Sequence, residues 1–208
     1  MRARDFASKV EQPETRKEAQ AFIDSSLANY FVEKKSFDQA LELVHKGDLT
    51  HIHKSWVLTE CAKIIVKTDG TKALELVDEA TDEARRIEPS DPALPRALIA
   101  VANALTVVDR RRVWDATFDA VKAANSAAGF TGEDGELVFR FQSKTQGSIS
   151  NKSVPDFDLE PIFKTLAKLD YERSIELAKG FQAEGPRAIA TIKIARAILH
   201  PKKDTPSQ

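Results

Sequence analysis

Apolar residues recur along this chain with the period of an α-helix over most of its length. Ile23, Leu27, Tyr30 and Phe31 stand at i, i+4, i+7 and i+8, one face of a first helix, with Pro13 near its start. Ser36-Phe37-Asp38-Gln39 has the spacing of a capping box and opens a second helix through Ala40–Val44, stopped by Gly47. Trp56–Val66 is a third, with Val57, Cys61, Ile64 and Ile65 on one side; Thr68-Asp69-Gly70 breaks it. Ala73–Val77 begins the body of a fourth, which runs through Ala80 and Ala84 to Ile87. Pro89-Ser90-Asp91-Pro92 separates it from an alanine-rich fifth over Ala97–Leu105. Asp109 reads as the cap of a sixth, carrying Val113, Trp114, Phe118 and Val121.

The period then changes. Phe130–Gly135 is turn chemistry, and beyond it Leu137, Phe139 and Phe141 alternate with Val138, Arg140 and Gln142, which predicts a strand. Lys144–Gly147 turns the chain, and Ser148–Ser153 returns as a polar second strand. The reading is a β-hairpin over 136–152; the competing one is a polar loop, since Ile149 is the only apolar anchor of the return strand. Helical spacing resumes with Asp158 before Leu159-Glu160-Pro161, with Asp170 before an eighth helix, and with Gly185-Pro186 before a ninth that ends at Pro201. The chain is thus mainly α, with about nine helices and one inserted hairpin.

Internal similarity sharpens this. Ala40-Leu-Glu-Leu-Val44 returns letter for letter as Ala73-Leu-Glu-Leu-Val77, and the same shift aligns Ala28 with Cys61 and Phe31 with Ile64. Ala104, Val107, Ala116, Ala120 and Ala123 repeat the pattern, and Pro95-Arg-Ala-Leu98 is echoed by Pro186-Arg-Ala-Ile189. Small residues recur because two helices approach closely only where small side chains sit at their crossing. Ala28, Cys61 and Ala104 supply that contact on the first helix of each pair, and Ala40, Ala73 and Ala116 on the second. A helical hairpin cannot bury its apolar face alone, so neighbours stack.

The pattern resembles the tetratricopeptide repeat, whose period is about 34 residues. Cys61 stands at the small position of its first helix, Ile64 at the aromatic position that follows, and Ala73, Val77 and Ala80 at the small-large-small positions of its second. The usual Gly and Tyr of the first helix are absent, and the closing Pro is displaced to Pro89. The likeness covers 20–127, and 158–200 only as helix pairs. The whole chain also looks like uncharacterised helical-repeat proteins found in bacteria, with runs such as Ile194–Leu199; that family brings no activity with it. The resemblance implies antiparallel helical hairpins stacked as an array. An irregular bundle with accidental echoes is the alternative. The expected division is an N-terminal arm over 1–13, one helical-repeat domain over 14–200 with its insertion at 133–153, and a tail over 201–208.

Composition narrows the function. The 208 residues include 31 Lys+Arg and 32 Asp+Glu. Both signs are spread along the chain, which leaves no polycationic footprint for nucleic acid. The N-terminus is charged and has no apolar stretch of the secretory kind, and no apolar run is long enough to span a membrane. One cysteine excludes an intrachain disulfide and suits the cytoplasm. The Asn151-Lys152-Ser153 sequon matters only in a secreted eukaryotic protein.

Candidate chemistry is sparse. His51-Ile-His53 puts two imidazoles on one side of a connection, and with Asp48, His45 or Cys61 they offer zinc ligands, but no CxxC or HExxH spacing supports them. Cys61 sits mid-helix, where burial makes a thiol inert. There is no GxSxG elbow, and Gly132–Gly135 is neither a phosphate loop nor a calcium loop. Asp78-Glu79 and Asp82-Glu83 read as a solvated, salt-bridged helix face. The expectation is a non-enzymatic, cytoplasmic scaffold module that binds another protein or peptide, needs no cofactor or metal, and is able to self-associate. An enzyme or small-ligand domain on the same scaffold is the rival, and weak nucleic-acid binding is a third. The candidate contact residues are Arg110, Arg111 and Arg112 with Val138, Arg140, Gln142 and Lys144. The hairpin that carries four of them is expected to matter more to function than to folding, because the helical pattern is complete on either side.

Overall fold

The computed structural model describes residues 2–142 and 147–199. Within them the helical periods fold as nine helices of nine residues or longer, preceded by a short one. They are α1 (Arg2–Ser8), α2 (Pro13–Glu33), α3 (Phe37–Lys46), α4 (His51–Ile65), α5 (Gly70–Arg85), α6 (Ala93–Val108), α7 (Val113–Ser126), α8 (Leu159–Leu169), α9 (Tyr171–Lys179) and α10 (Glu184–Leu199). A hairpin of β1 (Glu136–Gln142) and β2 (Gly147–Ser153) stands between α7 and α8, followed by a 3-10 turn over Pro155–Phe157.

Local chemistry sets most boundaries. The Asp69 and Asp170 carboxylates accept the Lys72 and Arg173 backbone N–H groups, at 2.9 and 3.0 Å, and so cap α5 and α9. Ser36 and Asp158 hold the N-cap positions of α3 and α8 but make no side-chain cap bond, so the expected capping box does not close. Asp109 ends α6 rather than starting α7; its carboxylate accepts the Arg111 N–H in a turn between them. The arm holds α1, which packs on α2 and is tied by Arg4 to the buried Asp24, 2.6 Å away. Asp24 also accepts the Asp48 backbone N–H, which pins the connection from α3 to α4.

Pairs α2–α3, α4–α5, α6–α7 and α8–α9 each pack internally. α4 packs on both helices of the pair before it, α6 does the same, and α10 closes the far end against α8 and α9. Ala28, Cys61 and Ala104 on first helices, and Ala40 and Ala73 on second ones, are all buried; Ala116 is only half-buried. The recurring small residues, Ala116 excepted, thus face the core. One apolar cluster runs from Ala28 to Ala197.

The expected hairpin forms and pairs antiparallel, with Phe139 opposite Ser150 and Arg140 opposite Ile149. It lies across the first helices of three pairs. β1 packs on α2, Phe139 stacks on His53 of α4 at 4.8 Å, and Arg96 of α6 donates to the Glu136 carbonyl. Leu137 and Phe139 are buried in the main core. The insertion therefore belongs to the core, which corrects the expectation that folding has little need of it. Gly132 allows the turn that follows α7: its φ is +89°, and a Cβ there would lie 2.5 Å from the Leu159 side chain.

Candidate functional site

The predicted contact residues fall in two places. Val138 and Arg140 face outward from β1, as the alternation requires, beside Asn151 and the exposed Ile149 of β2. Gln142 ends β1, but its side chain lies outside the described residues, as does Lys144. Arg110, Arg111 and Arg112 are exposed in the turn after α6. Arg96 ties the hairpin base to the first turn of that 16-residue helix, about 24 Å away along its axis. The arginines are also engaged within the chain. Arg112 meets Asp78 at 2.6 Å, Arg111 meets Asp109 at 3.2 Å, and Arg110 donates to the Thr106 carbonyl.

The histidines diverge. His51 opens α4 rather than lying in an extended connection, and residues two apart on a helix point about 200° apart. His51 Nδ1 meets Glu83 at 2.7 Å and His45 meets Glu79 at 3.3 Å, so two imidazoles reach carboxylates one turn apart on α5. Glu83 is buried and also holds Arg86 at 2.6 Å, so this part of the acidic run is not a solvated face. Among the described residues no group of three His, Cys, Asp or Glu side chains is placed to hold a metal ion. Cys61 is buried, and burial pushes its thiol up to about 12.

His53 is buried between the Thr50 hydroxyl and the Phe139 ring. Burial, with the positive charge of Arg96 adding to it, lowers its pKa from 6.5 to about 4. The unfolded chain takes up the proton below pH 6.5 and the folded one only near 4, so acid favours unfolding across that window. The stability lost through this group reaches about 3 kcal/mol by pH 4. His53→Phe, which retains the ring stack, should therefore lose less stability than the parent between pH 7 and pH 4 in urea titrations.

A groove lies between α7 and α9. The two helices are bridged at both ends. Arg173 of α9 stacks over the Trp114 ring of α7, 4.4 Å from its centroid. At the other end the Asn125 amide donates to the Gly180 carbonyl and accepts the Gln182 N–H, both at 2.8 Å. Between these bridges is a groove of about 490 Å³. Its apolar lining is Trp114, Phe118, Val121 and Leu177; Asp115, Lys122, Arg173 and Glu176 are exposed at its rim. Phe118 is 59% exposed although it belongs to a helix with a well-packed core face.

The sequence carries a signal for this groove. Val113, Thr117, Ala120 and Ala124 already form a complete buried face on α7. Trp114 and Phe118, one turn apart, fall on an adjacent face, so the apolar stripe is wider than one core contact needs.

No protein-family model, curated protein or solved structure matches this chain. Among the described residues no helix is long and apolar enough to cross a membrane.

Proposed function

We propose that this chain is a non-enzymatic helical-repeat scaffold of the cytoplasm that binds another protein through the groove between α7 and α9. The observation that carries the reading is the exposure of Phe118 beside Trp114, Val121 and Leu177. A large aromatic left in water on a helix whose core face is otherwise complete marks an interaction surface. Packing of α4, α6 and α10 on the pairs before them supports the repeat reading, and a buried free thiol suits a reducing compartment. The groove takes precedence over the hairpin as the contact surface, because β1 spends its apolar face on α2 and α4.

A photo-crosslinking phenylalanine analogue at position 118 should capture a partner in cells that the same analogue at Tyr30, exposed on α2, does not capture. Phe118→Asp should weaken binding of that purified partner about 30-fold, the scale of an interface hot spot. Equal capture from both positions, or unchanged affinity of the variant, refutes the reading.

A second reading is favoured by the groove's size. A volume of 490 Å³ also suits a small apolar ligand, for which about 300–1,000 Å³ is usual. Native mass spectrometry of the protein purified from its own cells distinguishes the two, since a bound small molecule adds a discrete mass that Phe118→Asp removes.

A further inference from the structure

We infer that the outer face of α10 pairs with its own copy, so that two molecules join through an antiparallel α10–α10 contact. The residues involved are distinct from those that line the groove between α7 and α9.

The helix is apolar on two opposite sides. Pro186, Ala190, Ile194 and Ala197 are its buried face, and α10 packs on α8 and α9. Ala188, Ile192, Ala195 and Leu199 follow one another at intervals of four, three and four, which sets them about 180° away around the helix. All four are exposed, Ile192 at 48% and Leu199 at 72%, and the exposed Ile198 widens the stripe. The exposed side of α5, by contrast, is built from Lys72, Glu75, Asp78 and Asp82. A helix that is apolar all round is ordinarily covered all round. Residues 201–208 carry no Val, Leu, Ile, Met or aromatic side chain with which to cover it.

The order of large and small residues picks the occupant. With a two-fold axis passing between positions 193 and 194, an antiparallel copy sets Ile192 against Ala195 of the second copy and Leu199 against its Ala188. Every layer of the contact then holds one large side chain and one small one, the arrangement that lets two helices approach and interlock. A parallel copy would set Ile192 against Ile192 and Ala195 against Ala195, leaving bulges alternating with gaps. Charge does not oppose the antiparallel pairing. Between the ends of the stripe the nearest charged residue is Arg196, which lies beside Ile189 of the second copy rather than beside its own counterpart, and the other flank is the neutral Thr191 and Ile198.

Sedimentation equilibrium of the full chain tests this, with the fold of each variant checked by circular dichroism. One helix pair covers less than the roughly 1,200 Å² of a standard stable interface, so the dimer should be weak, with Kd on the order of 10–100 μM. Ile192→Ala sets Ala against Ala in both central layers and should weaken it about 30-fold. Ala195→Ile sets Ile against Ile and should weaken it too. The two changes together restore large against small with the roles exchanged, and should recover a Kd within about threefold of the parent. Crosslinking fixes the direction. Cys61 is buried with an inert thiol, so an introduced cysteine reacts alone. A short bismaleimide should join an equimolar mixture of Ala188→Cys and Leu199→Cys chains but neither variant by itself, because like positions lie about 16 Å apart along the paired helices. Phe118→Asp should dimerise as the parent does, which separates this surface from the groove. A parent that stays monomeric about ten times above the expected Kd refutes the pairing. So does a dimer indifferent to Ile192→Ala, a double exchange that fails to recover, or crosslinking within either cysteine variant alone.

Discussion

Replacing residues 136–152 with a short Gly/Ser linker should destabilise the protein by at least about 5 kcal/mol, enough to leave it unfolded or nearly so at 37 °C. The hairpin delivers two buried side chains, Leu137 and Phe139, to the core cluster. Truncating a buried Leu or Phe costs about 2–5 kcal/mol each, and the excision removes both along with their backbone support. It also strips cover from the helices beneath. His53 loses the ring stacked on it, Phe22 loses Phe141 at 6.4 Å, and Trp56 loses the Lys152 ammonium 5.5 Å from its centroid. Lys152 further ties β2 to Glu33 at 2.6 Å. Shortening the connection recovers little, because loop-closure entropy changes only slowly with length. The milder Phe139→Ala should cost about 3–5 kcal/mol and leave a measurable folded state. Urea and thermal midpoints followed by helical circular dichroism decide the matter; a linker variant that melts with the parent would show that the helices close on themselves without the hairpin.

The hairpin was legible in the sequence, but its importance to the core was not. Alternation of Leu137, Phe139 and Phe141 with Val138, Arg140 and Gln142 needs only local sterics, so the strand and its two faces follow from it, while its pairing with β2 does not. What covers the exposed side of α2, α4 and α6 depends on how three distant segments come together, and no local period reports that. The same division runs through the helices. Their existence follows from the helical period, and the burial of the recurring small residues from the repeated pattern. The start of α4 does not, because His51, His53, Lys54 and Ser55 look like a polar connection; His53 and Ser55 are in fact buried once the hairpin and neighbouring helices close over them. The groove was half legible. Trp114 and Phe118 are conspicuous on α7, but their exposure depends on how far α9 stands from that helix, and its bridges at Asn125 and Arg173 join residues about 55–60 positions apart.

Phe157→Ala should cost about 3–5 kcal/mol, a large effect for a residue in a three-residue turn with no helical pattern to mark it. Phe157 is fully buried, and the turn that carries it packs on both α6 and α8. That makes it a joint between the helices before the insertion and those after it. Its surroundings are held by polar contacts that position the turn. Asn103 of α6 donates to the Asp156 carbonyl at 2.9 Å, Lys63 of α4 bonds the Asp156 carboxylate, and the Arg96 guanidinium lies 5.1 Å above the Phe157 ring. These groups fix the backbone on three sides, so the turn cannot collapse into the space the ring vacates, and the cavity term should stay near its upper range. Arg96 should feel the change as well, since it loses the aromatic face it covers while remaining half-buried. Phe157→Leu keeps most of the volume and should cost only about 1–1.5 kcal/mol, which separates loss of packing from disruption of the turn. Equilibrium urea unfolding of the three proteins, with a common slope, gives the comparison. If Phe157→Ala proved as stable as the parent, the turn would have to be rebuilt around the missing ring. If Phe157→Leu fell as far as Phe157→Ala, ring-specific contact with Arg96, rather than buried volume, would be what holds the two halves together.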